Sequence, residues 1–130
     1  IILYNIYIMK THSLSLLGKR KQNEDKHKII INRNNKDKSL AKVNFFSVFD
    51  GHGGKAVSKY SYDNYHKYFL SKFTESELQN LAKCKLYFNN IHNIIQNKLE
   101  DRFKNKSYNI GSTSLTSVFY KSKKNIYYYV

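Results

Sequence analysis

Two short apolar runs separated by a polar segment form the first clear pattern in this 130-residue chain. The first run, Lys26–Asn32, is rich in isoleucine, and the second, Val43–Phe49, is rich in valine and phenylalanine. Short runs of β-branched and aromatic residues favour β-strands. Because only a loop separates the two runs, we expect them to pair as antiparallel strands.

The hydrophobic period then changes to that of an α-helix. Between Lys55 and Phe73, apolar residues recur close to every 3.6 positions with lysines between them, which predicts an amphipathic helix. Thr74, followed by acidic residues, predicts the N-cap of a short second helix. A clearer helical stripe comes next, with apolar residues at i, i+3, i+7, i+11 and i+15, namely Phe88, Ile91, Ile95, Leu99 and Phe103.

The last part of the chain returns to strand-like composition. Ser114–Tyr120 and Asn125–Val130 predict two strands, and Ser13–Leu17 is a candidate for one more strand near the start. The main order is therefore β-β-α-α-β-β. It predicts an α+β fold, with an antiparallel sheet and its helices in a separate layer, rather than alternating βαβ units.

The net charge of +14 raises the question of an anionic partner. Twenty lysines but only three arginines supply the excess, and the lysines are spread along the whole chain. Arginine is the better reader of bases and phosphates, and A/T-rich codon usage accounts for much of the lysine. A solvated lysine-rich surface is therefore favoured, and no nucleic acid is expected, although a basic nucleic-acid-binding module stays an alternative.

Cysteine content and the N-terminal segment bear on location. The single cysteine, Cys84, excludes an internal disulfide and fits a reducing compartment. The apolar run at residues 1–9 is too short to span a bilayer and lacks the features of a signal peptide. We expect an intracellular protein, cytoplasmic or nuclear, with residues 1–12 as an N-terminal extension or edge strand and no membrane span.

The stretch FFSVFDGHGG, Phe45 to Gly54, concentrates three of the chain's five glycines within four positions, beside Asp50 and His52. A strand that ends in an acid and continues into glycine delivers a carboxylate on a rigid edge, and Gly51 lets a ligand approach its carbonyl. Hard divalent cations prefer such oxygen ligands. An Asp-Gly pair is also a common turn, so this motif alone leaves both interpretations open.

Two further motifs carry candidate chemistry. In RKQNEDK, the acids Glu24 and Asp25 precede a strand, and Arg20 lies four residues before Glu24. These groups form either a local surface ion pair with Lys26 or Arg20, or a set in which Glu24 binds a cation and the Arg20 fork binds phosphate. The third motif, GSTS at residues 111–114, is by itself an ordinary turn that opens a strand.

In this order and spacing, RKQNED, VFDGHGG, two helices and GSTS resemble the N-terminal portion of the metal-dependent Ser/Thr protein phosphatases of type 2C. The resemblance covers about Ser13 to Val130. It implies an antiparallel β-sandwich flanked by helices in α/β/β/α layers, here incomplete. It also implies that residues 13–130 are the N-terminal part of a catalytic domain that is truncated at its C-terminus.

The resemblance further implies a pair of Mg²⁺ or Mn²⁺ ions. Asp50 would bridge the two ions, Glu24 and the carbonyl of Gly51 would bind one of them, and Asp25 would act through these ligands. Such a pair lowers the pKa of bound water and stabilises both the attacking and the leaving oxygens. A bridging hydroxide would then attack phosphorus in line, without a covalent phosphoenzyme.

Two other residues receive roles from the same resemblance. Arg20 would hold the phosphate of phosphoserine or phosphothreonine, and His52 would protonate the leaving hydroxyl, because a serine alkoxide leaves poorly. If both roles hold, Arg20 and His52 line one opening near Glu24 and Asp50.

The expected partners are phosphorylated protein substrates, and the complete protein is expected to be a monomer. In the family, further metal-binding acids follow the position of Val130. The 130-residue chain alone is therefore expected to bind metal weakly and to turn over substrate poorly or not at all. A non-catalytic phosphatase-like binding or regulatory module remains an alternative.

Overall fold

The structure is a computed structural model, which describes residues 10–31, 43–78, 80–104, 109–121 and 126–130. Six strands and three helices lie within these ranges: β1 (Lys26–Ile31), β2 (Val43–Phe49), β3 (Gly51–His52), α1 (Ala56–Ser71), α2 (Glu75–Leu78), α3 (Leu81–Phe103), β4 (Gly111–Ser112), β5 (Leu115–Lys121) and β6 (Ile126–Tyr129).

Four strands form one antiparallel sheet in the order β1-β2-β5-β6, and β3 and β4 form a separate two-stranded ladder. Side chains alternate between the two faces of β2, so Val43, Phe45 and Phe49 are buried on one face. The register brings Phe45 opposite Val118 of β5, which is buried on the same face. This face of the sheet is therefore the floor of the hydrophobic core.

Helices α1 and α3 cover that floor, because their apolar stripes are at helical spacing. Tyr65 and Phe69 of α1 are buried against Phe45. The centroid of the Phe45 ring lies 6.1 Å from that of Tyr65 and 5.4 Å from that of Phe69. Ile91 and Ile95 bring the buried side of α3 into the same cluster. The core thus lies between the helices and one face of the sheet.

The helix ends follow the local sequence. Thr74 precedes α2, and its backbone N–H donates to the Glu77 carboxylate at 2.7 Å, as in a capping box. Asn80 caps α3, because its side chain accepts from the backbone N–H of Lys83 at 3.1 Å. The predicted N-cap at Thr74 is therefore in place.

The α+β class, the two main helices and the four sheet strands agree with the sequence prediction, and the antiparallel pairing of the first two strands is confirmed. Helix α3 begins at Leu81, a full two turns before the predicted stripe begins at Phe88. Within the described ranges, one four-stranded sheet and the β3–β4 ladder are the only sheets, so a complete second sheet of a sandwich is not among them.

One predicted strand is wrong. Residues 13–17 form no strand, and Leu14 and Leu16 are 81% and 75% exposed, so this segment does not pack on the sheet. A turn follows, in which Arg20 N–H donates to the Leu17 carbonyl at 3.3 Å and Gly18 has a φ of 60°. Residues 1–9 of the predicted N-terminal extension lie outside the described residues. In the described part of the chain, no helix combines the length and apolar character needed to cross a membrane.

Candidate active site

The segment before β1 and the end of β2 enclose a polar cavity of about 280 Å³, which we call the Arg20 cavity. Because Lys26 pairs with Phe49, the residues just before β1 and just after β2 lie at the same end of the sheet. Five of the six site residues predicted from the sequence line this cavity: Arg20, Glu24, Asp25, Asp50 and Gly51. Glu24 and Asp50, which are far apart in sequence, therefore line one cavity.

A close backbone contact fixes Glu24 beside Gly51. A Cβ atom at Gly51 would lie 2.7 Å from the Glu24 carbonyl oxygen and 2.8 Å from Ser58 Oγ, so only glycine fits without displacement. Gly51 is buried, and the requirement for glycine comes from this packing rather than from the approach of a ligand.

Ser58 is a residue of this site that sequence reasoning missed. It is fully buried on α1, and its hydroxyl donates to the Glu24 carbonyl. Helix α1 thereby holds the Glu24 backbone against the end of β2. A signal was present, because a serine on the apolar face of a helix needs a hydrogen-bond partner.

The GSTS motif fixes the other side of the acid at the end of β2. Thr113 N–H donates to the Asp50 carbonyl at 2.8 Å, and the β3–β4 ladder pairs Gly51 with Ser112 and His52 with Gly111. The motif thus positions the backbone on which the Asp50 carboxylate is carried.

The acidic residues of the Arg20 cavity form no ion pair within the described part of the chain. Among the described residues, ion pairs join Lys59 to Asp63 and Lys104 to Asp101, and none involves Glu24, Asp25 or Asp50. The local ion pair considered from the sequence is therefore not formed. Gln22 donates to the Glu24 carboxylate at 3.0 Å, another contact that the sequence did not reveal.

The chemistry of these donors suits a hard divalent cation. Carboxylates and a backbone carbonyl are the ligands that Mg²⁺ and Mn²⁺ prefer. Acidic residues that line one cavity without an ion pair to a described residue also gain from a bound cation. Among the residues that the structure describes, however, no group of three or more His, Cys, Asp or Glu side chains is arranged to hold an ion. The residues fit the type of ion and supply part of a ligand set.

His52 lies apart from the other predicted site residues. Its side chain lines a second cavity of about 280 Å³, the His52 cavity, together with Gly111, Glu100 and Phe103. The imidazole rests on Gly111, where a Cβ atom would lie 2.3 Å from Nε2. The expectation that Arg20 and His52 line one opening is therefore not met.

Gly53 holds the connection to α1 in place. Its φ is +70°, and a Cβ atom there would lie 1.7 Å from the Asn109 carbonyl oxygen. Both the left-handed backbone and the lack of space require glycine. Gly54 also has a positive φ, of 117°, but open space surrounds it.

Comparison with known proteins identifies the family of this chain. The family model for Protein phosphatase 2C matches residues 11–130. The chain is similar to the integrin-linked kinase-associated serine/threonine phosphatases 2C of mouse and rat, each 33% identical over 83 residues, and of human, 30% identical over 83 residues. These matches cover 60% of this chain and 21% of each relative, so the chain spans about a fifth of the relatives' length. The chain belongs to the protein phosphatase 2C family.

Proposed function

We propose that this chain forms part of an enzyme that hydrolyses phosphoserine and phosphothreonine in proteins with the help of two Mg²⁺ or Mn²⁺ ions. The observation that carries the proposal is the Arg20 cavity, which Arg20 and three acidic residues line although the chain has nine acids against twenty-three bases. Membership of the phosphatase family supports the same reaction class.

Asp50, Glu24 and the carbonyl of Gly51 would hold the ions, and Asp25 would act on them through these ligands. When bound, the ions supply the Lewis acidity that activates water for in-line attack on phosphorus and that offsets charge on the phosphate. The chain's own contribution is a rigid support. The Glu24 backbone is hydrogen-bonded to Ser58 and the Asp50 backbone to Thr113, so little reorganisation is needed on binding.

Arg20 is assigned to the substrate phosphate. Its side chain is exposed in the same cavity, and a guanidinium can donate two parallel hydrogen bonds to phosphate oxygens. Lysine would be a poorer substitute, because it offers a point charge rather than a planar fork.

His52 is assigned to protonation of the leaving serine or threonine hydroxyl. Its imidazole rests on Gly111, so this role requires the exposed side chain to turn from the His52 cavity toward the Arg20 cavity. If His52 has this role, its loss should slow hydrolysis of substrates with poor leaving groups more than that of substrates with good ones.

One observation favours a second function, a non-catalytic phosphatase-like binding or regulatory module. No three candidate ligand side chains among the described residues are arranged around one position, so catalysis needs ligands beyond those described here. Both functions use the Arg20 cavity, and only the enzymatic one requires additional metal-binding acids in the complete gene product.

The test is an assay of the protein expressed from its complete gene, with phosphoserine and phosphothreonine peptides and Mn²⁺. We expect hydrolysis that EDTA abolishes and added Mn²⁺ restores, and we expect the 130-residue chain alone to be far slower. Equal rates for the two proteins would refute the expected weakness of the short chain. Metal binding without hydrolysis by the complete protein would favour the non-catalytic module. Intracellular location and a monomeric state stay predictions.

A further inference from the structure

A larger concavity adjoins the Arg20 cavity and is not used by the proposed reaction. This basic groove, of about 950 Å³, lies between α1, from its start to Lys67, and the end of α3. Lys55, Lys59, Lys67 and Arg102 line it, with Asp63 as its acid. Gln22 lines both the groove and the Arg20 cavity, so the two are neighbours along the surface.

The groove has unpaired positive charge. Lys59 Nζ lies 2.8 Å from the Asp63 carboxylate, so these two charges cancel, and this hydrogen bond holds the pKa of Asp63 below its ordinary value. Lys55, Lys67 and Arg102 form no ion pair with a carboxylate of the described residues. Four cationic residues and one acid line the groove, so its net charge is positive.

The placement of arginine argues against an incidental lysine-rich surface. The chain has three arginines, and the two that the structure describes, Arg20 and Arg102, line the two neighbouring concavities. The Arg102 guanidinium lies over the rings of Tyr60 and Phe103, 5.7 and 5.9 Å from their centroids. Aromatic contacts of this kind orient the guanidinium plane while leaving N–H groups for an anion.

The start of α1 adds to the positive electrostatic potential of the groove. Gly54, Lys55 and Ala56 line the groove, no side chain caps the helix, and its first turn has no acid. Free backbone N–H groups and the helix dipole make this end electropositive. The helix end and the side-chain cations therefore act on one region.

We propose that the basic groove binds acidic residues of the substrate that flank its phosphorylated residue, and so directs the enzyme to acidic phosphopeptides. The inference rests on the proposed function, because the flanking segment would enter the groove from a phosphate held at Arg20. Charge complementarity of this kind raises association rates and selects partners, and salt weakens it.

The test uses the complete gene product and two phosphoserine peptides of equal length, one with Asp and Glu flanks and one with Asn and Gln flanks. Binding is measured by fluorescence anisotropy in EDTA, and hydrolysis is measured separately with Mn²⁺. We expect the acidic peptide to bind about tenfold more tightly at low salt, with the difference shrinking as salt is added.

Two variants with the same change in net charge locate the effect. The groove variant K55Q/K67Q/R102Q should reduce binding of the acidic peptide to the level of the neutral one and leave hydrolysis of the neutral peptide unchanged. The control variant K72Q/K83Q/K85Q removes three exposed lysines outside the groove and should keep the preference. The single variants K55Q and K67Q carry the same test if the triple variant does not fold.

The outcomes separate this inference from the proposed function. Equal binding of the two peptides, or equal losses in the two triple variants, would overturn the groove as a binding site for acidic segments. Hydrolysis of both peptides without an acidic preference would overturn the groove alone and leave the phosphatase function standing. An acidic preference lost only in the groove variant, without any hydrolysis, would support the groove and count against the enzymatic function.

Discussion

The Arg20 cavity and the His52 cavity are lined by consecutive residues of the same short segment and have about the same volume, but they contain different chemistry. The first is lined by three acidic residues and an arginine, with no ion pair between them. The second holds an imidazole against a glycine and the end of α3.

The comparison shows that distance along the chain is a poor guide to grouping at this site. Glu24 and Asp50 are twenty-six positions apart, yet the antiparallel pairing of β1 with β2 brings them to the same end of the sheet. His52 is two positions from Asp50, yet its pairing with Gly111 in the β3–β4 ladder holds it in the other cavity. Strand pairing therefore decides which groups act together.

The largest expected effect comes from Gly53, because the Asn109 backbone occupies the space that a side chain at this position would need. Gly53→Ala would drive Cβ into the Asn109 carbonyl, 1.7 Å away, so we expect a loss of stability on the order of 3 kcal/mol or more. Urea unfolding measures this loss. Alkylation of Cys84 gives a second readout, because the thiol is buried and its pKa is raised to about 11, mainly by burial.

Gly18→Ala is the matched control for this change. Gly18 has a φ of +60°, but no atom lies within 4 Å of its Cβ position. Gly18→Ala should lower the free energy of unfolding by only about 1 kcal/mol. If both variants unfold at the same urea concentration, the close approach of Asn109 does not require glycine at position 53.

Asp50→Asn should affect the Arg20 cavity alone. We expect the rate of phosphopeptide hydrolysis to fall by at least about 100-fold, because removing a direct ligand costs more than removing its supporting partner. Stability should stay the same or rise slightly, since Asp50 forms no ion pair with any residue that the structure describes. Asp101→Asn, at an exposed acid paired with Lys104, is the control and should leave the rate unchanged.

His52→Gln tests whether the His52 cavity contributes to catalysis, by comparing substrates with poor and good leaving groups. If His52 turns toward the Arg20 cavity and donates a proton, hydrolysis of a phosphoserine peptide should fall by about 100-fold. Hydrolysis of p-nitrophenyl phosphate should change little, because its leaving group needs no proton. Equal effects on the two substrates would show that His52 does not supply the proton.

Ser58→Ala has the smallest expected effect and addresses how the Arg20 cavity is held. The change leaves the Glu24 carbonyl without its donor, so we expect the affinity for Mn²⁺ to fall by about tenfold while the fold persists. Ser61→Ala is the control, because Ser61 is buried on the same helix. Loss of stability with unchanged affinity for Mn²⁺ would assign Ser58 a purely structural role.

Much of this fold could be predicted because hydrophobic period and composition identify long elements. The stripes of α1 and α3 and the alternation of β2 required no knowledge of distant contacts. Strands β3 and β4 have two residues each, too few for any period, and they exist because Thr113 and Gly111 meet Asp50 and His52. Residues 13–17 were mistaken for a strand because their composition says nothing about whether a sheet edge lies nearby.

The candidate site likewise contains some residues that the sequence identified and others that it did not. Motif order and resemblance identified Glu24, Asp25, Asp50 and Arg20, which line one cavity. Ser58 escaped notice because its role depends on a contact between α1 and a segment thirty-four positions away. The orientation of His52 depends on Gly111, another partner distant in sequence.

The most direct test of the central claim is calorimetric titration of the complete gene product with Mn²⁺, since the claim is that Glu24 and Asp50 jointly hold a divalent ion. We predict that Glu24→Gln and Asp50→Asn each weaken binding by at least about tenfold, whereas His52→Gln leaves it unchanged. Wild-type affinity in either acid variant, or a loss in His52→Gln as large as that in Asp50→Asn, would contradict the account.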